Sequence, residues 1–139
     1  MLSILRFDDQ YFEAVAALWE RVFPDDPAHN RAAVAVPEKM RVQPELFLVA
    51  LVGGRVVGTV MAGYDGHRGW LYSVAVDPDG QRSGVGTALV REAEARLCAL
   101  GCRKINLQIR EGNEAVTAFY ARLGYAVEPR VSMGKRISG

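Results

Sequence analysis

Long apolar runs are missing from this 139-residue chain. None approaches the ~18–20 consecutive apolar residues of a membrane span, and no charged-then-apolar leader opens the chain. A cytoplasmic protein that does not engage a membrane is the expectation. An excess of either charge is missing too: 17 basic against 16 acidic side chains leave a formal net charge of +1, which gives no footing for nucleic acid as the main partner. Cysteine is scarce. Cys98 and Cys102 are separated by three residues, unlike the C-x-x-C of redox and zinc sites. With His29 and His67 as the only histidines, both far away in sequence, no metal set is expected and the thiols read as free. What remains is ordinary for a soluble globular domain, 50% hydrophobic and 24% charged, and the length suits one domain over residues 1–139.

Periodicity organises the chain. Residues 2–7 can open as a short strand. Asp8 and Asp9 then offer N-cap oxygens to a helix with Phe12, Val15, Leu18, Trp19 and Val22 at helical spacing. Residues 23–27 break it at Pro24 and Pro27, and a less regular helix follows over residues 28–40, with a kink or break expected at Pro37. Residues 46–52 and 55–64 read as strands joined by a Gly53-Gly54 hairpin turn. A second turn at residues 65–69 leads into a strand over residues 70–76. The helix after Gly84 carries Val85, Ala88, Leu89, Ala93, Leu97 and Leu100 on one face, a possible Glu92–Arg96 pair on the other, and Gly101 at its end. Residues 104–109 alternate as a strand that can pair parallel after the crossover. Asn113 caps a helix with Val116, Phe119, Tyr120 and Leu123 on one face, ended by Gly124. Residues 125–127 and 131–135 read as a final pair of strands.

The chemistry concentrates where the strand ending in Val74, Ala75 and Val76 gives way to a polar turn and a glycine-punctuated helix start. Gly84 and Gly86 remove side chains there, so that the backbone N–H groups of residues 82–87 can face one anion. The unsatisfied donors and positive dipole end of a helix N-terminus suit a phosphate. Arg82 adds a bidentate fork. A glycine-rich turn with no ligand is the alternative. The spacing is neither the G-x-G-x-x-G of a dinucleotide fold nor a P-loop, which needs Gly-Lys-Ser/Thr. A nucleotide-binding α/β domain would also want a mostly parallel sheet, against the two hairpins.

Gln81, Gly84 and Gly86 stand in the order of the Q/R-x-x-G-x-G/A motif of the GNAT superfamily of acyl-CoA-dependent N-acyltransferases. The run Asn113-Glu114-Ala115-Val116-Thr117-Ala118-Phe119-Tyr120-Ala121-Arg122-Leu123-Gly124-Tyr125 resembles that superfamily's second signature, N-x-x-A-x-x-F/Y-Y-x-x-x-G-F/Y. The order β-α-α-β-β-β-α-β-α-β-β resembles its fold. The opening at Phe47 and the run from Gly63 to Gly69 look like a small bacterial subgroup typified by YpeA.

The resemblance implies an α+β fold: a mixed, mostly antiparallel central sheet, a splayed parallel strand pair at the acyl-CoA site, and helices on both faces. It implies an N-acetyltransferase that passes the acetyl group of acetyl-CoA to a primary amine by direct attack. A non-catalytic acyl-CoA-binding or sensing module is the other reading. Val74, Ala75 and Val76 would line the pantetheine arm, and the Val76 N–H would hold the oxyanion. Gln81, Arg82, Ser83, Gly84, Val85, Gly86 and Thr87 would cradle the pyrophosphate, with Asn113, Tyr120 and Arg122 also at the coenzyme. Tyr120 would protonate the leaving thiolate, unless it is simply a core aromatic. Asn113 is equally well explained as a helix cap. Where relatives place a glutamate base, this chain has Trp70 and Gln108, leaving Asp65, His67 or Glu111 through water. The acceptor groove is expected between residues 23–30 and residues 64–69, with Asp25 and Asp26 available to a cationic amine. Monomer and homodimer stay equally open.

Overall fold

The structure is a computed structural model that describes residues 1–80 and 83–138. The chain groups into two compact units, Met1–Gln108 and Ile109–Gly139.

The first unit is built on a five-stranded sheet in the order β1 (Leu2–Arg6), β2 (Phe47–Val52), β3 (Arg55–Tyr64), β4 (Gly69–Val76) and β5 (Ile105–Leu107). Neighbours are antiparallel except β4 and β5, which run parallel. Gly53 and Gly54 both have positive φ, +58° and +78°, the conformation that a two-residue hairpin between right-twisted strands demands. Asp8 caps a 3-10 turn at Asp9–Tyr11, its Oδ1 accepting from the Gln10 N–H, and α1 (Phe12–Val22) continues from it. The second helix does not break at Pro37. Residues Ala28–Asn30 form a separate 3-10 turn, and α2 (Ala32–Arg41) runs unbroken through Pro37. Pro37 and Ala33 are both exposed, so the Ala33 carbonyl that loses its helical donor can turn to water.

Alternation along the strands sorts the core into two layers. The side of Thr59, Met61 and Ala75 meets α1 and α2, where Phe7, Val15, Leu18, Trp19, Val36 and Phe47 form a buried cluster. Phe7 and Phe47 stack with ring centroids 4.5 Å apart. The opposite side meets α3 (Val85–Ala99), whose Val85, Leu89, Val90, Ala93 and Leu97 are buried. Gly58 allows that helix to approach closely: a Cβ there would lie 2.7 Å from Leu89 Cδ1 and 3.0 Å from the Ala75 carbonyl oxygen. Glu92 and Arg96 pair at 3.0 Å, as their spacing predicts, and Gly101 follows the helix at φ +93°.

Two departures from regular pairing shape β4. Thr59 faces Ala75 while Met61 faces Tyr72, so Ser73 and Val74 together oppose Val60 in a β-bulge. Ser73 sits at φ +50°, an uncommon conformation for a residue with a side chain. The bulge is held by a buried relay: Trp19 Nε1 donates to Thr59 Oγ1 at 2.9 Å, and Thr59 Oγ1 donates to the Ser73 carbonyl at 2.9 Å. Secondly, β5 is shorter than the alternation over residues 104–109 suggests, and pairs only with Gly69, Trp70 and Leu71.

In the second unit α4 (Glu114–Arg122) is capped by Asn113, whose Oδ1 accepts the Val116 N–H at 3.3 Å. Residues 125–127 and 131–135 are not strands, contrary to the sequence reading. Val127, Val131 and Met133 are at least 83% exposed, so β-propensity acts there without the cross-strand partner that makes a strand stable.

Thr59→Val keeps the side-chain volume but orphans the buried Trp19 indole N–H and the Ser73 carbonyl. The cost should be about 2–4 kcal/mol, read from urea unfolding. An unchanged unfolding midpoint would show that the bulge needs no hydroxyl.

Candidate active site

Asp77 donates its backbone N–H to the Val57 carbonyl at 2.8 Å, which makes Val57 and Asp77 a hydrogen-bonded pair. The next pair, Gly58 and Val76, is therefore the non-hydrogen-bonded kind, and the N–H and C=O of Val76 point away from β3. They point toward the edge that β5 covers only as far as Leu71. A bulge and a short neighbour thus leave the last part of β4 splayed, with backbone donors and acceptors on its open side. Val74 and Val76 are half-buried and Ala75 is buried.

The chain then turns sharply. Buried Asp77 accepts the Asp79 N–H at 2.9 Å through Oδ1, while Arg21 of α1 pairs with its Oδ2 at 3.0 Å. This fixes the 3-10 turn Pro78–Gly80. Gln81 and Arg82, expected at the phosphate, lie outside the described residues. Ser83 is exposed and its hydroxyl donates to the Gly80 carbonyl. Gly84 is the N-cap of α3 at φ +86°, with nothing within 4 Å of where a Cβ would stand. Behind it, Val85 anchors the helix in the core, while Gly86 and Thr87 belong to the first turn, whose N–H groups have no acceptor within the helix. The result is an exposed, positively polarised helix start that follows directly on the open strand edge.

Asn113, Tyr120 and Arg122 belong to the second unit. Asn113 serves as the helix cap already described, and Arg122 is exposed in the last turn of α4. Tyr120 is buried, in edge-on contact with Phe119 and Tyr125, and desolvation pushes its phenol up to about 12.

A groove of about 630 Å³ opens on the α2 side of the sheet, lined among others by His29, Glu38, Lys39, Gln43, Tyr64, Asp65, Trp70, Tyr72 and Gln108. Its position agrees with the sequence reading on His29, Asn30, Tyr64 and Asp65, but Asp25 and Asp26 are not part of its lining. Asp65 is spoken for: Oδ1 accepts the N–H groups of His67 at 2.8 Å and Arg68 at 2.7 Å. These bonds, with help from the Trp70 side chain, hold its pKa below the usual carboxylate value and make it a poor proton acceptor. Trp70 and Gln108 both line the groove, and neither can take a proton.

Lys39 and Gln43 escaped the sequence reading. The signal for Lys39 was its place on the helix: Ala32, Val36 and Lys39 are the buried positions of α2, so a lysine occupies the apolar stripe. Because β2 begins only at Phe47, opposite Met61, the far end of β3 pairs with β4 on one edge and has no strand on the other. Side chains take over: Gln43 bonds both the N–H and the carbonyl of Tyr64 at 2.9 Å, and Lys39 Nζ donates to the Ala62 carbonyl.

Comparison with known proteins places this architecture. The Acetyltransferase (GNAT) family pattern matches residues 8–125. An acetyltransferase of Pectobacterium atrosepticum is 44% identical over 98% of this chain and 94% of its own length. One from Yersinia enterocolitica is 41% identical over 98% and 96%. These names do not single out the YpeA-like subgroup. Among solved structures, Ard1 from Thermoplasma volcanium superposes with a TM-score of 0.82 at 24% identity, over 91% of this chain and 84% of that one. The aminoglycoside N-acetyltransferase AAC(6')-Iy, bound to a CoA-containing bisubstrate analogue, does so at 0.81 and 17% identity, over 99% of both chains. With its family pattern, its relatives and its splayed mixed sheet in agreement, the chain belongs to the GNAT family of acetyltransferases.

Proposed function

We propose that this protein transfers the acetyl group of acetyl-CoA to a primary amine by direct attack within a ternary complex. One observation carries the reading: the Val76 N–H faces an open strand edge, and the α3 N-terminus at Gly84 follows within eight residues of sequence. An extended acyl-thioester arm can lie along Val74, Ala75 and Val76, replacing the ladder that β5 does not extend. The pyrophosphate then falls to the N–H groups of Ser83, Gly84, Val85, Gly86 and Thr87, with Gln81 and Arg82 beside them in sequence. Asn113 and Arg122 complete the set that the family motif assigns to the coenzyme.

The Val76 N–H polarises the thioester carbonyl and stabilises the oxyanion formed when the amine nitrogen attacks. A preorganised donor in a water-poor site is worth about 10²–10³ in rate. The C–S bond then breaks, the acetyl group stays on nitrogen, and coenzyme A leaves as thiolate. The family motif assigns Tyr120 to that thiolate. Between a phenol held at about 12 and a thiol near ~8.5, complete proton transfer is uphill by about 5 kcal/mol. Tyr120 therefore acts chiefly as a hydrogen-bond donor, with its proton moving late. The amine must shed its own proton, which passes to water, because Trp70 and Gln108 stand where relatives carry a glutamate and Asp65 is held ionised by its own turn. Deprotonation at pH 7 costs about 4–5 kcal/mol for a lysine amine and about 1 for a peptide α-amine, so an amine of lowered pKa sheds its proton more easily.

Gly84→Val brings a β-branched side chain to a left-handed position on the face offered to the pyrophosphate. Acetyl-CoA affinity should fall by at least about 10-fold in calorimetric titration, with helix content retained, since only one residue is strained. Undiminished affinity would remove the loop from the coenzyme site.

Tyr120→Phe keeps the ring contacts and should lower kcat by about 10²-fold, the lower end of the general-acid range, with acetyl-CoA affinity unchanged. Burial raises the folded phenol above its unfolded value, so its contribution to stability is whole below pH ~10 and is lost as pH rises toward about 12. The phenylalanine variant should lose less stability across that window, followed by denaturation at graded pH. Equal alkaline losses in both proteins would contradict the assignment.

A further inference from the structure

Lys39 is an expensive residue to keep where it is. Its side chain is buried, 6% exposed, in the lining of the groove. Among the described residues its polar contacts are one hydrogen bond, to the Ala62 carbonyl, and an approach to the Tyr72 ring at 5.7 Å from the centroid. An ammonium has three donors, so two remain unused. Desolvation lowers its pKa to about 8, only partly offset by the charge of Glu45. A neutral donor such as Gln43 caps the neighbouring Tyr64 without that penalty. Capping a carbonyl therefore does not account for the charge.

The rest of the groove narrows what would. Glu38 and Asp65 also line it, so both signs of charge meet in one cavity. Trp70, Tyr72, Tyr64 and Met61 supply apolar and aromatic wall between them. A doubly charged phosphate would meet one cation and two carboxylates, whereas a zwitterion finds a partner for each end. Tyr72 is followed by Ser73 and Val74, where β4 bulges toward its open edge, so a molecule held at Lys39 lies along the same strand that carries Val76.

We infer that the acceptor is an amine that also carries a carboxylate, an amino-acid-like molecule whose carboxylate is held by Lys39 on the floor of the groove. This deepens the acetyl-transfer reading and rests on it for the amine. The carboxylate completes the hydrogen bonds that the ammonium lacks and restores the charged form that burial disfavours. Binding is then linked to the protonation of Lys39: affinity for the carboxylate is level below pH about 8 and falls as pH rises through it. The other titratable groups facing this lysine and its groove are Glu38 on α2, His29 in the preceding turn, Glu45 after the helix, Tyr64 and Asp65 at the end of β3, and Tyr72 on β4.

The test measures binding, so that it stands apart from turnover. A panel of N-acetylamino acids, each beside its own carboxamide, is titrated against the coenzyme A-loaded protein, using fluorescence of Trp70 on the groove wall. At least one carboxylate should bind about 10- to 100-fold tighter than its amide. That preference should fade above pH 8 and vanish in Lys39→Met, which keeps the reach of the chain. Lys39→Gln, which retains a donor for Ala62, serves if the methionine variant does not fold. Equal binding of acid and amide, no binding of either, or a preference that survives loss of the charge would overturn the inference. Release of thiol from acetyl-CoA in an amine screen separately tests acetyl transfer: a carboxylate preference without turnover would leave the Lys39 site standing and remove the enzyme.

Discussion

The bulge that sets β4 apart is held by one buried hydroxyl. Thr59 accepts from the α1 indole and donates to the carbonyl of the bulged residue, so a helix, a central strand and the irregular strand are joined through a single oxygen. Two neutral hydrogen bonds contribute little net stability relative to water, but in a dry core they are costly to leave unmade. That asymmetry makes the bulge the low-energy arrangement despite the left-handed Ser73. A β4 without the bulge would move the Ser73 carbonyl, to which the Thr59 hydroxyl donates between packed layers.

The bulge works together with the shortness of β5. Parallel pairing over three residues is enough to align β4 with its neighbour, and too little to occupy the strand as far as Val76. An open backbone edge is normally a hazard, since it invites another strand. Here it is brief, twisted by the bulge, and closed at its far end by the turn that Asp77 and Arg21 secure. The last part of β4 is thus left open between the end of β5 and the turn into α3.

Much of this was legible in the residues. The Gly53-Gly54 hairpin, the α3 face, the Glu92–Arg96 pair and the strand–turn–helix passage into Gly84 follow from local rules, because each is decided by neighbours in sequence. The misses are of another kind. Residues 131–135 have the composition of a strand, yet a strand needs a partner edge, which no local rule supplies. Pro37 was expected to disturb a helix whose exposed face absorbs the loss. The bulge is invisible because nothing around Ser73 announces it; the cause sits 14 residues away at Thr59 and 54 away at Trp19. Lys39 belongs to no motif, and only its place on the buried stripe of α2 sets it apart.

The end of β3 is completed by the side chains of Gln43 and Lys39 rather than by a strand, and this separates two properties that a continuous ladder would lock together. A backbone ladder offers the same N–H and C=O whatever residues compose it. A ladder finished by side chains changes its polarity, charge and width with each substitution at those two positions. The register from Phe47 to Val52 stays fixed by pairing elsewhere. Point changes in the segment that closes α2 can therefore alter the groove beside β4 while leaving the strand edge and the glycine-started helix untouched.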